Sequence, residues 1–308
     1  MDDMKIYNLL EGNSHTLDNS IVNEPCFVIA KENQVKKMAD LLGISDFSRN
    51  TIKRADTFIR FDAREDHDYL NLIYFQTVGG TFEFETFSLV FGKTFLILSL
   101  TEESHLLEDF LDDFLPSIQT NDISQLYVSF LDALFSEMFD SLYLYEEILA
   151  EIENEIIISD KVHGMEEIVE KKNNCFKVKK YMRLLLYVGD DLILNINNLI
   201  SEKQMKVVNT LDVAINRLYE FSSNLYETCV HLLEIYDSTV STRTNDVINK
   251  LTVFTVFATP ITVLTGIYGM NFENMPELQN PNGYYILLGI MVFISLMIYF
   301  ILKKIKLL

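Results

Sequence analysis

Tryptophan is absent from the 308 residues, and of five prolines none falls between Pro116 and Pro260. Proline removes a backbone donor and clashes with the preceding turn, so its absence over that stretch leaves room for unusually long helices. Cysteine is scarce. Cys26, Cys175 and Cys229 are far apart and odd in number, with no CxxC or Cys/His zinc spacing, so neither a disulfide framework nor a zinc site is supported, and a reducing compartment fits. The five histidines form no HExxH spacing, and no nucleophile–base motif or phosphate-binding glycine loop occurs. These absences argue against an enzyme and call for no organic cofactor. Basic residues are outnumbered, 25 Lys and Arg against 45 Asp and Glu, for a net charge of −20. That balance repels phosphate backbones and argues against nucleic acid as a partner. Its summed field draws cations, although acid also serves plain solubility. The first residues, Met1, Asp2, Asp3, Met4 and Lys5, have no apolar run and do not read as a secretory signal.

Apolar residues make up 49% of the chain and are unevenly spread. Segments 251–268 and 284–302 contain no charged residue, and each is long enough to cross a hydrocarbon core of about 30 Å. Arg243 and Lys250 precede the first, and Lys303, Lys304 and Lys306 follow the second in a basic tail, 303–308. The connecting loop, 269–283, holds Glu273 and Glu277 but no Lys or Arg. By the positive-inside rule the loop is external, and both termini of this multi-pass protein of the cell (inner or plasma) membrane are cytoplasmic. Two spans in a lipid bilayer cannot enclose a hydrophilic path alone, so transport would require several copies around one axis.

The two spans differ in kind. The first carries Thr252, Thr255, Thr259, Thr262, Thr265, Gly266 and Pro260; the second is rich in Ile, Leu, Met, Phe and Tyr. Small and hydroxyl residues suit a helix that packs closely or touches water. Thr255, Thr259, Thr262 and Gly266 share one helical face. Alternatively, these threonines bond to their own helix backbone. Pro260 permits a local bend.

Residues 1–122 read as an α+β domain. Runs at 26–30, 57–61, 69–77, 81–91 and 95–100 are rich in β-branched and aromatic residues, and Gly79-Gly80 marks a hairpin. Residues 32–42 suggest a short amphipathic helix ending at Gly43. A long-helix hairpin follows over 123–201, with helices expected at 124–158 and 165–200. In 202–250, Leu211, Leu218, Leu225 and Leu232 recur every seven residues, and Ala214, Phe221 and Ile235 fill most alternate positions. This is a heptad seam. Nothing breaks the helix before the first span, so 202–268 reads as one stalk of about 100 Å at 1.5 Å per residue. The stalk either carries a change into the membrane or is purely structural. Asp62, Glu65, Asp66, His67 and Asp68 look like metal ligands but read better as a solvated turn between strands. Glu146, Glu147, Glu151, Glu153 and Glu155 read as a solvated helix face.

The loop runs Tyr268-Gly269-Met270-Asn271-Phe272-Glu273-Asn274-Met275-Pro276-Glu277-Leu278. With Gly-Met-Asn between two C-terminal spans, and with the approach over 236–246, the chain resembles the CorA family of two-span magnesium and divalent metal-ion transporters. The resemblance covers nearly the whole chain. It implies a homopentamer with a funnel-shaped cytoplasmic domain, the first span lining a pore and the second outside it. The implied filter is Gly269, Met270 and Asn271. Implied pore-lining positions are Asn245, Ile248, Leu251, Thr255, Thr259, Thr262 and Gly266, with Glu273 and Glu277 at the mouth. Mg2+ is the implied cargo, with Co2+ and Ni2+ beside it, and also a regulatory ligand. One departure stands out: the family's acidic regulatory positions fall at Thr51 and Thr210, and Asp56 and Asp212 replace them only by a shift of register. A zinc transporter of the same superfamily and a non-transporting membrane-anchored scaffold are the alternatives.

Overall fold

The computed structural model describes residues 5–8, 14–15, 25–31, 34, 59–64, 66–118, 120–158, 164–271 and 275–305. Apart from Gln34, the expected helix over 32–42 lies outside them. One seven-stranded sheet forms: β1 (Lys5–Asn8) and β2 (Ser14–His15), which no run in the sequence marked, and the five β-branched and aromatic runs, which supply β3 (Cys26–Lys31), β4 (Arg60–Ala63), β5 (His67–Val78), β6 (Thr81–Gly92) and β7 (Phe95–Leu100). Their order is β2-β1-β3-β7-β6-β5-β4. Only β3 and β7 are parallel among these pairs, with Cys26 opposite Phe95 and Lys31 opposite Leu100. Gly79 and Gly80 turn the β5–β6 hairpin at φ 56° and 81°, a conformation that glycine adopts without the steric cost of a Cβ.

The sheet is roofed by α1 (Leu106–Phe114) and α2 (Ile123–Ile158). Phe130 of α2 lies edge-on to Phe87, Phe110 and Phe114 at 5.4–6.3 Å, and Phe91 stacks on Tyr127 at 4.2 Å. Glu85 of β6 is buried beneath the start of α1. Its carboxylate accepts from Ser104 Oγ at 2.6 Å and from the amides of His105, Leu106 and Leu107 at 2.7–3.1 Å. The orphan amides of a helix start are thereby satisfied by an acid placed against their partial positive charge.

Next come α3 (Met165–Leu194) and α4 (Glu202–Tyr268). The helix expected over 165–200 ends six residues early, because Asn195 and Asn198 take left-handed φ of 42° and 51°, a region asparagine tolerates. Asn195 closes the turn, donating to Ile200 O at 2.9 Å and accepting from Ile200 N at 3.1 Å. The buried positions of α4 are Gln204, Val208, Leu211, Ile215, Leu218, Ser222, Leu225, Cys229 and Leu232, a spacing of alternating threes and fours. The leucines are therefore in the seam as expected, but their partners are Ile215, Ser222 and Cys229. Ala214, Phe221 and Ile235 are half-buried beside it. The α3 row, Ile168, Lys171, Cys175, Val178, Met182, Leu185, Gly189 and Leu192, has the same period.

The solvated-turn reading of the β4–β5 corner needs correcting. Asp66 is exposed, but His67 and Asp68 are buried. Asn197, in the α3–α4 connection, reaches this corner, donating to Asp68 Oδ1 at 2.7 Å and to the carbonyls of Arg64 and His67. Asp62 pairs with Arg64 at 3.2 Å and Arg60 at 3.6 Å. Glu65 lies outside the described residues.

The chain forms two compact units, Met1–Leu233 and Glu234–Leu308, and the boundary falls inside α4. The second unit holds the rest of α4, a 3-10 turn at Pro276–Gln279 and α5 (Gly283–Lys304).

Candidate functional site

Two helices in the second unit are long and apolar enough to cross a membrane, the C-terminal stretch of α4 and the whole of α5. Their large side chains face outward: Phe254, Tyr285 and Phe293 are 68–72% exposed. So large an apolar surface requires lipid or other protein around it.

On an ideal helix, Ile248, Leu251, Thr259, Thr262 and Gly266 fall within roughly 40° of Thr255, and Asn245 roughly 80° away. All seven positions are exposed in the single chain. The stripe is apolar at Ile248 and Leu251, hydroxylic at Thr255, Thr259 and Thr262, and bare at Gly266. Its threonines do bond to their own helix: Thr255 donates to Leu251 O at 2.8 Å, Thr259 to Thr255 O at 2.8 Å and Thr262 to Ala258 O at 2.9 Å. Neighbouring Thr252 and Thr265 do the same. The two readings of the threonines are therefore compatible. A hydroxyl has one hydrogen and two lone pairs. With the hydrogen committed to the backbone, each of these hydroxyls offers a neighbour acceptor sites only. Pro260 sits within the helix and leaves the carbonyl of Val256 without its usual amide donor.

The stripe ends at Gly269. Its amide continues the helix to Thr265 O at 2.9 Å, and Met270 N tightens the turn to Ile267 O at 3.2 Å. Among the described residues the left-handed glycines are Gly79 and Gly80, so the turn at Gly269 is made without such a conformation. Space is the tighter constraint: a Cβ there would lie 3.1 Å from Thr265 O. Met270 and Asn271 follow, both exposed. Glu277 falls within the 3-10 turn, but its side chain, like the whole of Glu273, lies outside the described residues.

The second set of expected ligands is not assembled by the described residues. Thr51 and Asp56 lie outside them, and Thr210 is exposed with its hydroxyl on Lys206 O at 3.2 Å. Asp212 is half-buried, and a Cβ on Gly189 of α3 would meet its Oδ1 at 2.9 Å. Gly189 thus makes room for Asp212 in the α3–α4 groove. No metal-competent group of three or more His, Cys, Asp or Glu occurs among the described residues. Two features escaped the sequence. The Asn197 tether was signalled only by the turn-forming run Asn195-Ile196-Asn197-Asn198. The packing of Cys175 against Cys229 at 3.6 Å, across 54 residues of sequence, had no local signal at all.

The cobalt/magnesium transport protein CorA of Thermotoga maritima is 28% identical to this chain over 181 residues, 58% of this chain and 52% of that protein. The magnesium transport protein CorA of Bacillus subtilis is 37% identical over 90 residues, 29% and 28% of the two chains. The chain thus aligns with about half the length of the first relative and less of the second. The complete CorA magnesium transporter of Methanocaldococcus jannaschii superposes with a TM-score of 0.79, covering 98% of this chain and 97% of that one at 18% identity. The ZntB cytoplasmic domain of Vibrio parahaemolyticus gives 0.63 over 79% of this chain and 100% of that one, at 11% identity. These low identities speak for a shared fold. The family model described as CorA-like Mg2+ transporter protein matches residues 27–304, and with the order of sheet, long helices and two apolar helices seen here, the chain belongs to that family.

Proposed function

We propose that this chain is one subunit of a homopentameric channel that admits divalent cations, chiefly Mg2+ and also Co2+ and Ni2+, through the cell membrane, with both termini cytoplasmic. The observation that carries the reading is the α4 stripe, which runs from Ile248 and Leu251 through three acceptor-only threonines to exposed Asn271. Mg2+ gives up its waters reluctantly, and the protons of those waters point outward. Rings of hydroxyl lone pairs and Asn271 carboxamide oxygens accept from that shell without stripping it and without a fixed charge to hold the ion. Anions, which need donors, find none in these hydroxyls. Gly269 and Met270 hold Asn271 at the outer end, and Glu273 and Glu277 raise the local cation concentration there. Ile248 and Leu251 close the inner end by dewetting. The membrane potential acts doubly on a divalent ion and drives it inward. The reading is of transport, with no catalytic step.

The names of the relatives support the cargo, cobalt and magnesium in one and magnesium in others. The likeness to ZntB motivates the second reading, zinc as cargo. The test is uptake into proteoliposomes. Asn271→Ala should abolish Mg2+ flux with normal expression and oligomer size, and Asn271→Asp should bind cations more tightly yet conduct them worse. Full Mg2+ flux through Asn271→Ala would remove the filter assignment; zinc uptake without Mg2+ uptake would favour the second reading. With Thr51 and Thr210 at the family's acidic positions, inhibition by cytoplasmic Mg2+ is weakened or passes through other carboxylates. Asp212 is a candidate only if it turns out of its groove. Inhibition unchanged in Asp212→Ala would dismiss it.

A further inference from the structure

The buried seam between α3 and α4 contains two sulfurs in one layer. Cys175 Sγ and Cys229 Sγ lie 3.6 Å apart and share an S–H···S bond in which either thiol can donate, and both side chains are at most 1% exposed. Tyr145 of α2 lies close to both, with its hydroxyl 3.4 Å from Lys171 O. Their place in the seam matters. Cys229 is one turn before Leu232, the last buried residue of α4; none of residues 233–268 is buried. The pair therefore sits one turn from the point where the buried row of the long helix ends.

We propose that Cys175 and Cys229 form a reversible disulfide under peroxide load, stapling α4 to α3 at the end of their seam and restraining the helix that continues into the apolar segment. A disulfide bond is about 2.05 Å long, so the sulfurs need close by roughly 1.5 Å. The side chains already face each other, so the approach requires no change of partner. The chemistry balances with a hydroperoxide as oxidant. One thiol, as thiolate, attacks a peroxide oxygen; the O–O bond breaks, giving a sulfenic acid and, with hydrogen peroxide, one water. The second thiol then attacks that sulfur, the S–S bond forms, the S–O bond breaks and a second water leaves. Two thiols lose two hydrogens, and one peroxide becomes two waters. In the resting state the pair is unreactive, because the S–H···S bond and then burial hold the Cys175 thiol far above the ordinary thiol range. Reaction therefore waits on local opening of the seam, which separates this pair from an exposed, promiscuous thiol. Cys26 is also buried, but it lies at the start of β3 in the sheet, away from the helix seam.

The effect on flux rests on the transport reading above; the chemistry does not. The full-length protein, purified in detergent and reconstituted, is treated with hydrogen peroxide, denatured, alkylated and digested with trypsin without reductant. The expected product joins the 173–177 peptide to the 218–243 peptide at their summed mass less two hydrogens, and reductant splits it. Mg2+ flux is expected to fall about fivefold or more, the lower end of allosteric couplings, and to recover on reduction. Cys175→Ser and Cys229→Ser should keep their flux through the same treatment, while Cys26→Ser should behave as the parent. Recovery of both peptides fully alkylated overturns the staple. A cross-link that leaves flux unchanged overturns its regulatory role. Absence of flux from the untreated parent counts against the transport reading instead, and the linked peptide still decides the staple.

Discussion

Asp68 and Glu85 are buried carboxylates on adjacent strands, yet they pull stability in opposite directions as pH changes. Burial pushes the Asp68 carboxyl up to about 6, and the hydrogen bond from Asn197 offsets this only in part. As pH rises from the ordinary 3.8, the unfolded chain releases this proton first, so stability falls until the folded group also ionises. The loss is of order 3 kcal/mol. Asp68→Asn keeps an acceptor for Asn197 and removes the ionisation. It should melt above the parent at pH 7.5 and with it near pH 4, as read by thermal unfolding; a lower melting point at both pH values would contradict this. At Glu85, burial also raises the pKa, but the donors Ser104, His105, Leu106 and Leu107 outweigh it and the net shift is downward. Its contribution is complete above the ordinary 4.5 and lost as pH falls through the lower folded value. Glu85→Gln should cost about 1–3 kcal/mol at pH 7, a deficit that narrows in acid. A deficit independent of pH would mean that the charge is not what caps α1.

At the scale of the element, α4 is one helix with two kinds of surface. Up to Leu232 it presents a heptad row to its neighbours; beyond that it presents exposed apolar and threonine positions. The buried row predicts a sharp contrast between adjacent residues. Ile215→Ala should cost about 2–5 kcal/mol, because Ile215 is fully buried and its removal leaves a cavity. Ala214→Gln, one residue away and half-buried, should cost less than about 1 kcal/mol. Thermal unfolding midpoints of the two variants decide the register, and equal losses would contradict it. The sequence pattern alone pointed to Ala214 and Phe221 because apolar character was its only guide. Ser222 and Cys229 are small enough to sit in the seam, and Ser222 satisfies its hydroxyl on Tyr219 O at 2.8 Å. Phe221 instead packs its ring against Tyr143 at 4.8 Å.

For the whole molecule, the apolar surfaces of α4 and α5 are too large to face water, and no single chain can surround an ion with only two spans. These surfaces call for an oligomer, and on the homopentamer proposed above native mass spectrometry in mild detergent should find five copies together, with a stable monomer or dimer as the sole species counting heavily against a shared pore. The net charge of −20 adds a long-range cation-attracting field that salt should weaken.

The amino-acid sequence by itself determined the α+β start, the proline-free long helices, the two apolar segments and the Gly-Met-Asn signature, because each is written in local periodicity or in contiguous residues. Where α3 stops was half-written, in the asparagine run, and the helical pattern overshot it because periodicity does not mark a left-handed residue. Tertiary structure alone decided that His67 and Asp68 are buried beneath an asparagine from a distant connection. It also decided that Gly189 yields space to Asp212, and that two cysteines 54 residues apart share one layer of a seam. The physical reason is common to all three: burial and proximity belong to pairs of elements, and the register between two packed elements is set by the fit of their whole faces rather than by any residue's neighbours along the chain.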